Sequence, residues 1–582
     1  MSKPKVLFCT AAGSLYGIGH LKRCISIIDE AHSSFDSYIF IHKGDKDAVL
    51  GRKEYFGDYR FINNIKDAGK IDLIVSDMRE TGKREMRRLA YRAPVISIDD
   101  LSAGKDHSHV SIYSLPNEQG VSGNFNGPPF IVLNRIITKI PPIPYCRKEG
   151  VLVSFGGSDP YNLTGFISSL LNSVGIRPKI IRGLLFFHTA RELDGEIIEN
   201  PQNMYDLINH ASILITSFGM TMYEAFFLRT PVILFNHSAY HYRLGNMVPV
   251  INLGYRNGLS KGHLRNRLLN ILEDEKGLER SAAKNASLID GKGAGRVVSI
   301  INRILCGIRK DCLFDHKKYT ALNRNNEYTI LQCSKCKDIF LHEIKGLDSI
   351  YNDDYFLNMY KNQYGLTYIE DKDNIVKLGL RRIRIIEKIK NGKGKLLDVG
   401  CALGYFVELC AQREWKVRGI EISHFACEWG KENLSVDIIQ GSFLDIDIKP
   451  ESYDAVTFFY VAEHFNKIEK VFEKANKILK EKGVIVLALP NRGGISYRFN
   501  RKQYIKEHPR DHYLDTSVRN LKKVLKKYGF KKKIIYITGI HPERFFNSIG
   551  LKINSRFLNS IYSFYAKIFH LGDTFEYYGI KA

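Results

Sequence analysis

The amino-acid sequence predicts an α/β protein that contains three Rossmann-like units. Its length of 582 residues exceeds what one hydrophobic core usually holds. Short apolar segments alternate with helix-like segments twice in tandem and once more near the C-terminus, which is typical of parallel sheets covered by helices. Glycine-rich turns follow several apolar segments, where ligands bind in such sheets. We therefore predict Rossmann-like units over 1–145, 146–305 and 391–582, with a Cys-containing segment and helical linker over 306–390.

The composition narrows the classes of protein to which the chain can belong. With 44% hydrophobic and 25% charged residues, the chain lacks the bias of a disordered sequence. No apolar run approaches the roughly 18 residues of a membrane span, and the N-terminus lacks the apolar core of a signal peptide. The ten cysteines are too scattered for a disulfide framework. We therefore expect a cytoplasmic protein without a transmembrane segment.

The net charge of +24 leaves several partners open. Such an excess belongs either to a solvated surface or to one that meets nucleic acid, membranes or anionic small molecules. The basic residues are spread along the chain, with one cluster over 519–533. The sequence contains no aromatic-rich basic platform of the single-strand-binding kind. Nucleic acid is therefore disfavoured as a partner.

The first half is predicted to form two sheets, separated by a looser stretch over 102–147. Strands are expected in "KVLFCT", "SYIFIH", "DLIVSD" and "PVISIDD", then in "GVLVSFGGSDP", "PKIIRG", "ASILITSFGM" and "PVILFN". Glycine loops at strand-to-helix junctions present backbone N–H groups to phosphate. One such loop is common in α/β proteins, but three in register indicate an anion site. The candidate substrate-binding residues are Gly17, Gly19, Arg23, Gly156, Gly157, Ser158, Gly219, Thr221 and Glu224.

These loops carry a resemblance to a known family. "GIGHLKRC", "IDDL", "VSFGGSDPYNLT" and "FGMTMYEAFFLRTPV" resemble the motifs of the UDP-sugar hydrolase of pseudaminic acid biosynthesis and of related spore-coat polysaccharide proteins. Both groups resemble the GT-B glycosyltransferases. The resemblance covers roughly residues 4–305. It implies a GT-B arrangement, a UDP-sugar substrate whose diphosphate lies on the glycine loops, and a contact between Glu224 and the ribose.

The same resemblance implies that His20 is a catalytic base. His20 lies at a predicted helix N-terminus beside Lys22 and Arg23, and both effects favour a neutral imidazole that takes a proton near pH 7. Alternatively, His20 caps the helix or belongs to the core. Met220 and the pair Tyr240 and His241 depart from the family pattern. The sequence therefore leaves open which sugar is bound, and whether water or another acceptor receives it.

A short segment near residue 320 has the spacing of a zinc knuckle. "CLFDH" and "CSKC" supply Cys312, His316, Cys333 and Cys336. Three thiolates and one imidazole form a tetrahedral structural zinc site. Asp315 stands where a second cysteine of the first pair would be expected. The alternative is a degenerate knuckle without metal.

The last unit resembles the class I S-adenosylmethionine (SAM)-dependent methyltransferases. In "LLDVGCALGYF", Asp398, Gly400 and Gly404 match the family's first motif, and Ala402 replaces its middle glycine. The resemblance implies that Asp398 faces the ammonium group of SAM. It also implies that Glu421 binds the ribose. "GSFLDI" is expected to lie near adenine, through Ser442 and Phe443.

Three further points concern this unit. A glycine loop followed by an acid also suits NAD, but "EHF" and "DHYLDTS" favour methyl transfer. If the acceptor is a hydroxyl group, methyl transfer needs a base. His464 and His512 are the candidates for this catalytic role. Alternatively, each of them is a structural residue. The final "DTFEYYGIKA" alternates as an edge strand does.

Two hypotheses cover the whole chain. The first is a surface-glycan enzyme that fuses a UDP-sugar hydrolase or glycosyltransferase to a methyltransferase acting on a sugar or glycan. The second is a methyltransferase of nucleic acid or protein, with a catalytically inactive GT-B-like binding module. The basic charge favours the second. The absence of the Pro-Pro-aromatic strand end of amino-methylating DNA enzymes is evidence against it.

Overall fold

The structure is a computed structural model that forms two compact units. One unit is Met1–Gly307 with Arg324–Asn326, and the other is Ile308–Asn323 with Glu327–Ala582. No helix within the described residues combines the length and the apolar character that a bilayer crossing requires. The structure describes residues 3–13, 16–32, 34–51, 57–78, 80–157, 159–183, 186, 193–258, 260–306, 312–316, 318–344, 354–548 and 555–582.

The first sheet of the first unit has six parallel strands in the order β2-β1-β3-β4-β5-β6. Its central strands are apolar throughout because both faces are covered. The stretch over 102–147, which the sequence presents as loose, contributes the last two strands. The elements are β1 (Lys5–Ala11), α1 (Gly19–Glu30), β2 (Asp36–Lys43), α2 (Lys46–Leu50), β3 (Leu73–Asp77), α3 (Lys83–Arg92), β4 (Val95–Ile98), β5 (Val110–Tyr113) and β6 (Phe125–Asn126).

The second sheet is also parallel, with the order β12-β11-β10-β7-β8-β9. Two of its strands, β9 and β12, are absent from the sequence-based prediction. Helix α10 follows this sheet in the chain but packs against α1 of the first. The elements are β7 (Val151–Val153), α4 (Leu163–Asn172), β8 (Lys179–Arg182), β9 (Glu196–Glu199), α5 (Met204–His210), β10 (Ile213–Thr216), α6 (Met220–Phe227), β11 (Val232–Asn236), α7 (Ala239–Asn246), β12 (Ile251–Tyr255), α8 (Lys261–Glu273), α9 (Glu275–Ala286) and α10 (Gly293–Cys306).

The second unit begins with a small sheet where the sequence predicts only a Cys-containing segment. Its order is β13-β14-β15-β21, and β15 is antiparallel to both neighbours. The aromatic stretch before the last domain is helical, as expected. The elements are β13 (Tyr319–Arg324), β14 (Tyr328–Cys333), β15 (Ile339–Glu343), a π-helical turn (Tyr355–Met359), α11 (Tyr360–Tyr364), α12 (Lys372–Lys390) and β21 (Leu514–Asp515).

The main sheet of the second unit has seven strands in the order β18-β17-β16-β19-β20-β23-β22. The first five in this order are parallel, and β23 is antiparallel to both neighbours. The elements are β16 (Lys395–Val399), α13 (Tyr405–Gln412), β17 (Lys416–Glu421), α14 (His424–Leu434), β18 (Ile438–Gln440), β19 (Tyr453–Phe459), α15 (Ile468–Ile478), β20 (Leu479–Pro490), α16 (Ile495–Phe499), α17 (Arg501–Lys506), α18 (Val518–Lys527), β22 (Phe530–Thr538), α19 (Pro542–Ser548), α20 (Arg556–Phe569) and β23 (Thr574–Lys581).

The final strand is an interior strand, so the prediction of an edge strand is wrong. Strand β23 lies between β20 and β22. The carboxylate of Glu576 is buried and accepts hydrogen bonds from Arg381 at 2.6 Å, Arg382 at 2.8 Å and the hydroxyl of Tyr578 at 2.9 Å. Glu576 of this interior strand is therefore a buried ion-pair partner of both arginines.

The substitution Glu576→Ala is expected to lower the free energy of unfolding by about 3–5 kcal/mol, because it leaves the buried guanidinium of Arg382 unpaired. Denaturant unfolding of the full chain measures this loss. The control is Glu451→Ala, which removes an exposed partner of Lys581 on the same strand and should change stability by no more than about 0.5 kcal/mol. Equal effects of the two substitutions would contradict the assignment.

Candidate functional site

His20 lies in the first turn of α1 and is paired with a carboxylate from the next strand. Its Nδ1 donates to Oδ1 of Asp77 at 2.7 Å, and 22% of its side chain is exposed. Asp77 is the last residue of β3, which pairs with β1. With the proton on Nδ1 directed at Asp77, Nε2 carries the lone pair that can accept a proton. The sequence pattern pointed to the helix N-terminus and the neighbouring cations but not to this carboxylate.

Arg23 is buried in an ion network. Its Nε donates to Asp77 at 2.6 Å and its Nη1 to Asp99 at 2.5 Å. Asp99 also accepts from the hydroxyl and the amide of Ser114. Burial opposes the charge of Asp77, but Arg23 and His20 outweigh it and lower the pKa of Asp77 to about 2. Arg23 therefore fixes the carboxylate that orients His20, and a contact between Arg23 and a substrate stays a prediction.

The loops of the two sheets converge near the start of α1. A Cβ at Gly157 would lie 3.0 Å from Cγ1 of Ile18, so the glycine permits this close approach. Glu224 in α6 interacts electrostatically with Lys22 and is hydrogen-bonded by Tyr205. Burial raises the pKa of Glu224, against the effects of Lys22 and Tyr205. The structure thus brings candidate residues of both sheets together.

The helices that follow the two glycine loops of the second sheet differ in whether side chains cap their first backbone amides. Gly156 has φ +83°, but the first amides of α4 donate to the side chains of Asp159 and Asn162. Helix α6 begins after Gly219 without a side-chain cap. An anion would therefore meet uncapped amides at α6, whereas the first amides of α4 already have side-chain acceptors. The contact of the diphosphate with Gly156 and Gly157 stays a prediction.

Most of the other candidate substrate-binding residues of the first unit lie in or beside α1, α6 and α7. Gly17 has φ +66° ahead of α1, and Gly19 opens that helix. Thr221 is half-buried in the first turn of α6. Ser158 lies outside the described residues. Met220 begins α6, while Tyr240 and His241 lie in α7, where Nδ1 of His241 is 2.9 Å from the hydroxyl of Ser238.

The loop after β16 is closed by the carboxylate at the end of β17. Oε2 of Glu421 accepts from the amide of Ala402 at 2.9 Å, and Oε1 accepts from the amides of Ile422 and Ser423. Ala402, where the family pattern has glycine, adopts φ +51°. Gly400 has φ +70°, and a Cβ there would clash with Val461. The loop is therefore held close to the carboxyl ends of the neighbouring strands.

Asp398 is the second buried acid beneath this loop. Its Oδ1 accepts from the hydroxyl of Thr457 at 2.6 Å. Burial raises the pKa of Asp398 to about 7, and nearby Glu421 adds to this, while Thr457 and Arg382 oppose it. Burial also raises the pKa of Glu421. No cation among the residues that the structure describes is bonded to either acid, and two such buried acids form a site that favours a positively charged ligand.

Ser442 and Phe443 follow β18 but differ in environment. The hydroxyl of Ser442 accepts from the amide of Leu444 at 3.3 Å. The ring of Phe443 is buried against Phe458 and Phe465. The aromatic side chain is thus part of the core, and only the backbone at this position remains for an adenine contact.

His464 and His512 come together beside a buried glutamate. Their ring centroids are 4.9 Å apart, and Glu463 lies with them. Nδ1 of His464 is 3.1 Å from Oδ2 of Asp511, and Nδ1 of His512 is 3.3 Å from Oδ1 of Asp515. Despite the opposing effect of burial, Asp511 raises the pKa of His464 to about 9. His464 is therefore an imidazolium at neutral pH.

The four predicted metal ligands converge. Sγ of Cys312 is 3.4 Å from Sγ of Cys336 and 3.6 Å from Nδ1 of His316, and Sγ of Cys333 is 3.4 Å from that nitrogen. Ligands about 2.1–2.3 Å from one zinc ion at tetrahedral angles are separated by about 3.4–3.8 Å. The donor set and its spacing therefore fit zinc, and Asp315 is not part of the cluster.

Several residues of these sites escaped the sequence-based analysis. Asp77 and Asp99 close their strands in "DLIVSD" and "VISIDD", and a carboxylate at a strand end was the available signal. Thr457 carried no signal of its own, and Asp511 was noted only as part of "DHYLDTS". Tyr368, from the linker, lies close enough to Asp398 and Glu421 to interact electrostatically with both.

Comparisons with known proteins include one family match, which lies in the second unit. Residues 372–533 match a family described as a methyltransferase domain. The ubiquinone biosynthesis O-methyltransferase of Saccharophagus degradans is 32% identical over 126 residues, covering 21% of this chain and 53% of that protein. An uncharacterized protein of Methanocaldococcus jannaschii is 25% identical over 268 residues, covering 40% of this chain and 55% of that protein. The chain thus spans about half the length of these curated relatives.

A solved structure is also similar. The crystal structure of a SAM-dependent methyltransferase from Archaeoglobus fulgidus aligns with a TM-score of 0.30 and 18% identity, covering 39% of this chain and 100% of that one. The main sheet of the second unit has the strand order of class I methyltransferases, with the last strand antiparallel. The match of residues 372–533 to this family therefore indicates a methyltransferase domain within the second unit.

Proposed function

We propose that the second unit transfers a methyl group from SAM to a sugar or glycan. The observation that carries this proposal is the loop after β16, which lies over two buried acids that lack a bonded cation. When bound, SAM supplies an activated methyl group on a positively charged sulfur. Asp398 would hold the ammonium group of SAM, and Glu421 would hold its ribose hydroxyls. Since the transfer is an in-line displacement, positioning of the acceptor supplies most of the rate enhancement.

The two histidines take different roles in this proposal. His464 is charged at neutral pH because of Asp511, so it is a poor proton acceptor. His512 is the better candidate to take a proton from an acceptor hydroxyl, with Asp515 holding its Nδ1. The positive charge of His464 then stabilises the developing negative charge on the acceptor oxygen.

The pKa of Asp398 leads to a test of cofactor binding. As the pH falls from 8 to 6, Asp398 becomes protonated, and the affinity for SAM should fall about tenfold. Asp398→Asn should bind weakly and without this pH dependence, whereas Glu428→Gln, an exposed carboxylate paired with Lys431, should behave as the parent. Calorimetric titrations at both pH values measure these affinities. A parent affinity that does not change with pH would contradict the role of Asp398.

The first unit is proposed to act on a UDP-sugar in a GT-B arrangement of two Rossmann-like domains, 1–145 and 146–305. The pairing of His20 with Asp77 is the observation that supports it. The uncapped start of α6 offers amides to the diphosphate. Nε2 of His20 takes the proton of the attacking hydroxyl, from water in a hydrolase or from a sugar in a glycosyltransferase.

Release of UDP tests this activity. His20→Ala should slow UDP release from the preferred UDP-sugar by about 10²–10⁴-fold, because the general base is lost. His32→Ala, an exposed histidine just after the same helix, should leave the rate unchanged. Release with water alone indicates a hydrolase, and release only with an added sugar indicates a glycosyltransferase. Parent-like UDP release by His20→Ala would contradict the assignment of the base.

The choice of methyl acceptor distinguishes the two whole-chain hypotheses. The full chain is supplied with SAM and, in parallel, with nucleotide sugars, oligosaccharides, RNA, DNA or protein, and formation of S-adenosylhomocysteine is followed. We expect product with the sugars or oligosaccharides. Product only with nucleic acid or protein, together with no UDP release, would favour the alternative methyltransferase with an inactive first unit.

We further propose that Cys312, His316, Cys333 and Cys336 hold a structural zinc ion. The convergence of the four donor atoms supports this. The purified chain should contain about one zinc per molecule. Cys333→Ser should lower both the zinc content and the melting temperature, and the neighbouring Ser334→Ala should change neither. Elemental analysis of the proteins gives the outcome, and a parent chain without zinc after expression in zinc-supplemented medium would refute the site.

A further inference from the structure

Helix α20 exposes an apolar face. Exposed fractions along this face include 72% for Phe557, 62% for Phe564, 53% for Ile568 and 60% for Phe569. At 100° per residue, the exposed apolar residues fall on one continuous arc of the helix. Contiguous exposed apolar surface of this kind marks an interaction site. The members of this face are Phe557, Leu558, Ile561, Phe564, Tyr565, Ile568 and Phe569.

The helix is attached to the second unit by a separate, narrow stripe. Tyr562 and Ala566 are buried and pack against Ile540, Phe545 and Leu571. This stripe lies beside the exposed apolar arc, and the rest of the helix surface is polar. The attachment therefore fixes the direction in which the apolar face points, without covering it.

The dimensions of α20 suit a helix that lies on a surface. Its 14 residues span about 21 Å, which is less than the roughly 30 Å of a bilayer core. Aromatic and aliphatic side chains on one face of such a helix are typical of segments that lie in the interface plane of a membrane.

Positive charges lie near the C-terminal end of the apolar face. Lys567 is an exposed residue in the last turn of α20. Burial lowers the pKa of His570, at the end of the helix, and Lys522 and Lys532 lie close enough to lower it further. Two acids of the neighbouring segments are ion-paired, Glu543 with His541 and Asp573 with Arg544. The face thus has lysines at one end, in a chain of net charge +24.

We infer that α20 docks the protein onto an anionic lipid surface. The apolar face enters the region between headgroups and acyl chains, and the lysines contact the anionic headgroups. The apolar face or the lysines alone would bind a membrane weakly, and the two together give stable attachment. A second copy of the chain is a poorer occupant, because a two-fold interface through this face would bring the same cations together. The inference is independent of the chemistry proposed for either unit.

Vesicle flotation of the full chain tests the inference. We expect binding to vesicles made of equal parts phosphatidylcholine and phosphatidylglycerol, and at least about tenfold weaker binding to phosphatidylcholine alone. The combined variant Phe557→Ser, Phe564→Ser and Ile568→Ser should lose at least about tenfold in binding to the anionic vesicles. The matched control replaces exposed apolar residues of the first unit, Tyr91→Ser and Ile136→Ser, and should bind as the parent does.

Two further measurements make the outcome decisive. Thermal unfolding and SAM binding of the combined variant should match those of the parent, since the replaced side chains are exposed. Light scattering should give the same mass for both in the absence of vesicles. Unchanged vesicle binding by the variant, equal binding to neutral vesicles, or a parent dimer that the variant breaks would overturn the inference.

Discussion

Both candidate sites depend on the same interaction, in which a buried carboxylate ends the strand beside the one that carries the functional loop. In the first unit, Asp77 at the end of β3 holds His20 and Arg23 from the loop and helix after β1. In the second, Glu421 at the end of β17 holds the amide of Ala402 after β16. Because carboxyl ends of neighbouring parallel strands meet at one edge of a sheet, each acid reaches its loop directly.

The two sites differ in how the buried negative charge is compensated. Arg23 compensates Asp77 inside the protein, and the pKa of that acid is low. Asp398 and Glu421 have no bonded cation, and burial raises the pKa of both. A buried acid without a cation costs free energy that a positively charged ligand can recover. The first arrangement suits orientation of a histidine, and the second suits recognition of a cation.

Sequence patterns predicted the parallel sheets and the glycine loops because these depend on local features. Apolar runs gave the central strands, and glycines at positive φ, such as Gly400 and Gly156, marked the loops. Features set by distant contacts were missed. The alternation of the final segment did not reveal that Glu576 is a buried partner of Arg382, and the small sheet of the second unit contains pairings between strands far apart in the chain. The capping of α4 by Asp159 depends on a turn conformation that the sequence pattern does not show.

The most direct test of this account is calorimetric titration of S-adenosylhomocysteine and of UDP into the variant Glu421→Gln. If each carboxylate serves only the loop beside it, the variant loses affinity for S-adenosylhomocysteine by at least about tenfold, since the amide of Ala402 loses a charged partner. Its affinity for UDP then equals that of the parent. Parent-like binding of S-adenosylhomocysteine by this variant would contradict the central claim.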